Sequence, residues 1–253
     1  MSPTTDSVRR FYDEFAGTLL RDYIRGNPRV DHQYGFLAEA VSPADQDILI
    51  IGCGLGHVGR FLAGKARAAR IVACDLSGEC IRLAGRLFRH PRVQYRVLDV
   101  LTDPIDGLFD FIALPDVYEH IPAASRGALH ERLGRALGTS GRIAVTGPTP
   151  GHQAMLRAGG GALQPVDEDV TLEDLRTFAG AVGGALTFYR MISVWRTNDY
   201  FHALIERGAE SVRELTDADK YALKGWPKEQ AGCRFACRWW RRLKLAQVGL
   251  TAD

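Results

Sequence analysis

The sequence has no run of about 18 consecutive apolar residues, so it predicts no transmembrane helix. Its opening segment, MSPTTDSVRRFYDEF, has no apolar signal-peptide core, and a cytoplasmic location is expected. Cysteine is scarce: five residues (53, 74, 80, 233 and 237), an odd number without a CxxC pair. That pattern fits neither a disulfide framework nor a zinc site, and no metal is expected. Cys53 and Cys74 lie in apolar strand contexts, where a free thiol acts as a small hydrophobe. Cys233 and Cys237 are four apart and could share a helix face. Net charge is also nearly lacking: a value of +2 does not by itself imply a nucleic-acid partner. No internal repeat is visible.

What is present suits one large globular domain, or one domain with a cap. The 253 residues are 46% apolar and 25% charged, enough to build a sizeable core. Residues 5–25 read as a helix because Phe11, Phe15, Leu19 and Tyr23 recur at four-residue steps. Gly26-Asn27-Pro28 breaks it, and a second helix is expected over 29–40. Strand and helix patterns then alternate. Strands are predicted at 48–51, 69–74, 93–98, 109–114 and 142–146, with helices at 57–67, 78–89 and 125–137. Such alternation predicts a parallel sheet covered on both faces. The Gly/Pro-rich segment 148–165 reads as a mobile loop with room for a short helix at 152–158. Residues 171–182 read as a helix capped by Thr171, and 186–195 with 200–206 as a strand pair joined through Arg196–Asp199. The expected divisions are 1–42, 43–210 and 211–253.

The segment ILIIGCGLGHVGRFLAG runs from a buried strand through a glycine turn into a helix. It satisfies two spacings, Gly52-x-Gly54-x-Gly56 and Gly54-x-Gly56-x-x-Gly59. Such a turn lets backbone approach a nucleotide-like ligand and aims helix N-terminal amides at it. Asp75 ends the next strand, where a carboxylate can accept hydrogen bonds from a ribose. Dinucleotide and adenosyl cofactors both use that arrangement, so these features leave the two open. Asp99 after the third strand could accept from an adenine amino group, with Val100 beside the ring.

Five segments in order, DILIIGCGLGHVGRFLA, IVACDLS, VQYRVLDV, FDFIALPDVYEHIP and RALGTSGRIAVTGPTP, make residues 47–150 resemble a class I S-adenosylmethionine-dependent methyltransferase of the small-molecule type. The resemblance departs at Thr139-Ser140-Gly141, where a basic Pro-Gly-Gly turn is common. It implies a doubly wound, seven-stranded, mostly parallel α/β sheet, a Rossmann-like fold with a helical N-terminal lid and the last strand antiparallel. It assigns S-adenosyl-L-methionine to Gly52, Gly54, Gly56, Asp75, Leu76, Asp99, Val100 and Pro115. Gly59 then reads as a small residue where the helix packs on the sheet.

The expected reaction is metal-free, in-line methyl transfer to a small-molecule acceptor in specialised metabolism. Its chemistry requires alignment, exclusion of water and, for an oxygen nucleophile, a base. His120, on the cofactor side of the fourth strand, is the candidate catalytic base, although His120 or Glu119 could instead order that loop. Tyr12, Tyr23, Arg29, Tyr118 and His152 are the candidate substrate-binding residues. Arg21, Arg25 and Arg29 together leave room for an anionic acceptor. The tail carries eight Lys/Arg against one acid between Lys220 and Lys244, among Phe235, Trp239 and Trp240. It either packs its aromatic face on the core or serves RNA or membrane binding, which leaves open a methyltransferase-like binding module as the alternative function.

Overall fold

Strand β1 (Asp47–Ile51) is apolar after its first residue because both its faces are covered. Ile48 and Ile50 enter one core and Leu49 and Ile51 the other. This alternation repeats along β2 (Arg70–Asp75) and β4 (Phe109–Pro115), which flank β1 in parallel register. The computed structural model describes residues 4–159 and 164–209. Within them, β3 (Val93–Val97), β5 (Leu137–Pro148), β6 (Gly184–Ile192) and β7 (Tyr200–Arg207) complete a seven-stranded sheet. The strand order is β3-β2-β1-β4-β5-β7-β6, and β7 runs antiparallel to both its neighbours. No helix among the described residues is long and apolar enough to cross a membrane.

Helices α2 (Pro28–Ala40) and α3 (His57–Lys65) cover one face through Phe36, Leu37, Val58 and Leu62. Helices α5 (Arg126–Ala136) and α7 (Leu172–Ala181) cover the other through Leu129, Leu133, Leu175 and Phe178. Thr171 caps α7 in a reciprocal box with Asp174. At Gly59, α3 lies close against the sheet. A Cβ there would lie 3.2 Å from Val93 and 3.6 Å from Ala73 and Ile50.

Helix α1 (Thr5–Arg25) packs Ala16, Leu19 and Ile24 against Cys80, Leu83 and Leu87 of α4 (Gly78–Leu87). The two helices are also tied by Asp13, whose carboxylate accepts from the Ser77 hydroxyl at 2.6 Å and the Glu79 amide at 3.1 Å. This places α1 across the carboxyl ends of the central strands.

The fifth strand begins earlier than its pattern indicates. Leu137 already pairs with Phe109, while Arg142 pairs with Phe111, so residues 138–141 bulge out within the strand. The expected glycine turn is that bulge, and Gly141 fits because a Cβ would meet Leu137 at 2.6 Å. The basic aromatic segment 211–253, with Cys233 and Cys237, lies outside the described residues.

Candidate functional site

A cavity of about 500 Å³ opens over the carboxyl ends of β1, β2, β4 and β5, beneath α1. Ligand sites in open α/β sheets occupy this position, and the volume falls in the range of roughly 300–1,000 Å³ common for small-molecule pockets.

Its first half lies over β1, β2 and the end of β3. Gly52 and Gly54 line it, both with positive φ. Gly52 has no room for a side chain, since a Cβ would come within 2.2 Å of Val117. Gly54 holds the loop shut by donating its amide to Asp75 at 2.8 Å, and Ser77 donates to the other Asp75 oxygen at 2.9 Å. Burial raises the pKa of Asp75 against the pull of those two amides. Leu76, Asp99, Val100 and Pro115 line the same cavity. Asp99 is fixed by the Leu101 amide, which donates to its Oδ1 at 2.9 Å. The donor set therefore fits an adenosyl group: exposed loop backbone, one carboxylate at each of two strand ends, and Leu76 and Val100 as apolar faces. Gly56 is set apart from this group. It does not line the cavity; it starts α3 at φ +85°, against Ala84 and Tyr95.

The second half lies over β4 and β5. A 3₁₀ turn at Tyr118–His120 follows β4 and brings Glu119 and His120 to the cavity. His120 faces the cavity. Its Nδ1 donates to the Val166 carbonyl at 2.8 Å and lies 3.2 Å from Asp167 Oδ1. Because both partners only accept, Nδ1 carries the proton and the neutral ring has its lone pair on Nε2. Burial lowers the pKa of His120, but Glu119, Asp167 and the Val166 carbonyl outweigh it and raise the net value. Glu119 is 2% exposed, and its Oε1 lies 3.8 Å from His120 Nε2.

Tyr118 departs from the expectation that it forms a pocket wall. It is fully buried on the opposite side of the turn, its hydroxyl 2.8 Å from His130 Nε2 and its ring stacked on Phe178. Arg126 lies over the same ring. One residue of a 3₁₀ turn must point into the core to anchor it, and the large apolar ring is the one that does.

Tyr12, Tyr23, Arg29 and His152 all line the cavity. The Tyr12 ring meets His120 edge-on at 6.2 Å, and burial beside Glu119, Asp75 and Asp167 raises its hydroxyl pKa. Tyr23 stacks on His57, whose Nδ1 is 2.8 Å from the Tyr34 hydroxyl. Arg29, at the start of α2, is ion-paired with Asp116 and lies over Tyr200. The expected arginine cluster does not converge. Arg21 donates to Thr18 on its own helix, and neither Arg21 nor Arg25 lines the cavity. His152 sits on α6 (Pro150–Ala158), a helix capped by Thr149, and burial lowers its pKa.

Several lining residues escaped the sequence reading: Asp167, Gln153, Gln164 and Tyr200. Asp167 and Gln164 come from a segment without helical or strand periodicity and Tyr200 from a strand end, while Gln153 lies on α6 (Pro150–Ala158), where the sequence leaves room for a short helix. Gln33 had a usable signal, a polar residue on the apolar face of a helix. It donates to Thr146 at 3.0 Å, and Thr146 donates to Asp116 at 2.9 Å, which fixes the carboxylate that holds Arg29.

A family model described as a methyltransferase domain matches residues 48–141. The chain is 33% identical over 193 residues to an N-demethylindolmycin N-methyltransferase of Streptomyces griseus, covering 70% of this chain and 76% of that relative. It is 26% identical over 210 residues to the chloroplastic tocopherol O-methyltransferase of Arabidopsis thaliana, covering 80% of this chain. The chain spans about half (54%) of that plant relative's length. A crystal structure of magnesium protoporphyrin IX methyltransferase from Synechocystis PCC 6803 with bound SAH shares the fold. Its TM-score is 0.65 at 17% identity, over 81% of this chain and 100% of the other.

Proposed function

Because the chain belongs to the class I S-adenosylmethionine-dependent methyltransferases, we propose that it transfers a methyl group to a small-molecule acceptor by direct, metal-free displacement. The observation that carries this reading is the cavity with two chemically distinct halves. One is a glycine loop with two strand-end carboxylates. The other is a buried acid–base group around His120. The likeness to a relative named for methylating demethylindolmycin supports a place in specialised metabolism.

S-adenosylmethionine, when bound, supplies a methyl group already activated on a sulfonium. The work left to this chain is binding, alignment and proton removal. In this reading the backbone at Gly52 and Gly54 holds the methionine portion beside Pro115. Asp75 takes the ribose hydroxyls, while Asp99, Leu76 and Val100 hold the adenine. Gly56 shapes the loop from behind. His120 accepts the acceptor's proton at Nε2, which the Val166 and Asp167 contacts leave as the lone-pair nitrogen. Tyr12, Tyr23, Arg29 and His152 form the surrounding wall, and α1 keeps water out.

The test is to incubate the protein with S-adenosylmethionine and a panel of amines, phenols and carboxylic acids. S-adenosylhomocysteine release and the product mass are then followed. Formation of a singly methylated product is expected; cofactor consumption with no panel member would contradict the reading.

A further inference from the structure

We propose that the acceptor is an amine, held through its N–H groups on the Glu119 carboxylate with the Gln153 side-chain carbonyl beside it. This rests on the methyl-transfer reading above and names the substrate class of that same cavity.

The charges around the second half do not balance. Asp116 is matched by Arg29, and Asp167 is held by the His120 Nδ1–H 3.2 Å away. Glu119 remains. Its Oε1 is 3.8 Å from His120 Nε2, beyond hydrogen-bond range, and its Oε2 is buried with no hydrogen-bond partner. A buried carboxylate oxygen left in this state is costly unless something donates to it. The fold makes room for it: a Cβ on Gly147, at the end of β5, would come within 3.2 Å of that oxygen.

Two more cavity-lining groups have the same need. Gln153 is 2% exposed and turns its amide toward Asp167, which can only accept, so its NH₂ group is used there. Its Oε1 is buried without a partner, and so is Gln164 Oε1. The unmet cavity groups are thus the Glu119 carboxylate oxygen, the two glutamine oxygens and His152 Nδ1, which can accept as well; burial raises the Glu119 pKa, so a cation beside it favours its ionised form. A carboxylate ligand would meet repulsion from Glu119, and the arginine that could have offset it is taken by Asp116. An alcohol brings one donor. An ammonium brings three and the opposite charge.

The chemistry balances. The bound ammonium gives one proton to His120 Nε2, and its freed lone pair forms the N–CH₃ bond as the S–CH₃ bond breaks. Positive charge passes from sulfur to the methylated nitrogen, which still carries N–H groups for Glu119.

The experiment titrates phenethylamine, phenethyl alcohol and hydrocinnamate into the protein already bound to S-adenosylhomocysteine. The amine is expected to bind at least about tenfold tighter than the alcohol, and the acid not measurably. Glu119→Gln should erase that preference while S-adenosylhomocysteine affinity stays within about twofold, the size of a lost contact remote from that ligand. Gln153→Leu should weaken the amine alone and stands in if Glu119→Gln does not fold. Preference for the alcohol or acid, binding of none of the three, or an amine preference that survives Glu119→Gln would overturn the inference. Failure of S-adenosylhomocysteine itself to bind would instead overturn the methyl-transfer reading.

Discussion

His120 Nδ1 lies 2.8 Å from the backbone carbonyl of Val166, a residue 46 positions away in sequence. A carbonyl cannot change its role, so this contact sets the tautomer of the ring at every pH where the imidazole is neutral. It also helps Glu119 and Asp167 to raise the histidine's pKa against burial. A base must be unprotonated to act, so kcat/KM should rise with pH through a value above the ordinary 6.5. The stability sign is opposite. A raised folded pKa favours the protonated form, so this group's contribution is full below about 6.5 and is lost as pH climbs through the folded value. Asp167→Asn should move the acidic limb down. His120→Ala should lower kcat/KM by about 10²-fold or more with S-adenosylhomocysteine binding retained. Unchanged turnover in His120→Ala would remove it from catalysis.

Asp13 joins the covering helix to the core by accepting from Ser77 and Glu79 at the N-terminus of α4. Asp13→Ala should lower stability by about 1–2 kcal/mol, the range for a charged hydrogen bond and a helix cap. It should also weaken cofactor binding several-fold, because α1 then closes the cavity less often. Thermal melts and a binding titration on the same variant check both effects.

Tyr118→Phe should cost about 0.5–1.5 kcal/mol, since His130 loses its hydroxyl partner. Turnover should not change, because the ring is on the core side of its turn. A loss of activity without a loss of stability would return Tyr118 to the pocket wall.

Gly52→Ala should be far more damaging. It forces an alanine to φ +70° and drives its methyl into Val117. Stability should fall by about 2–3 kcal/mol and cofactor binding should be lost. Adding Val117→Ala should relieve the clash but not the backbone strain, and so recover only part of the stability.

Strands β1, β2 and β4 were readable because residues buried on both faces form unbroken apolar runs between turn residues. The cofactor half followed for the same reason: Gly52, Asp75 and Asp99 sit at strand ends, and strand ends are what periodicity locates. The second half was less readable. Tyr118, Glu119 and His120 are consecutive, yet the 3₁₀ turn sends Tyr118 into the core and the next two to the cavity, and no strand or helix period predicts that. Val166 and Asp167 lie in a segment with no period at all. They reach His120 only through the tertiary fold. The arginines of α1 and α2 read as one positive cluster, but Asp116 claims Arg29 through a chain that runs back to Gln33, 113 residues from its partner Thr146.

The most direct measurement is a calorimetric titration of S-adenosylhomocysteine into the wild-type protein and the Asp75→Ala and Asp99→Ala variants. One-to-one binding by the wild type, weakened about tenfold or more in each variant, is the predicted result. A wild-type protein that gives no binding, or variants that bind as tightly as the wild type, would contradict the account.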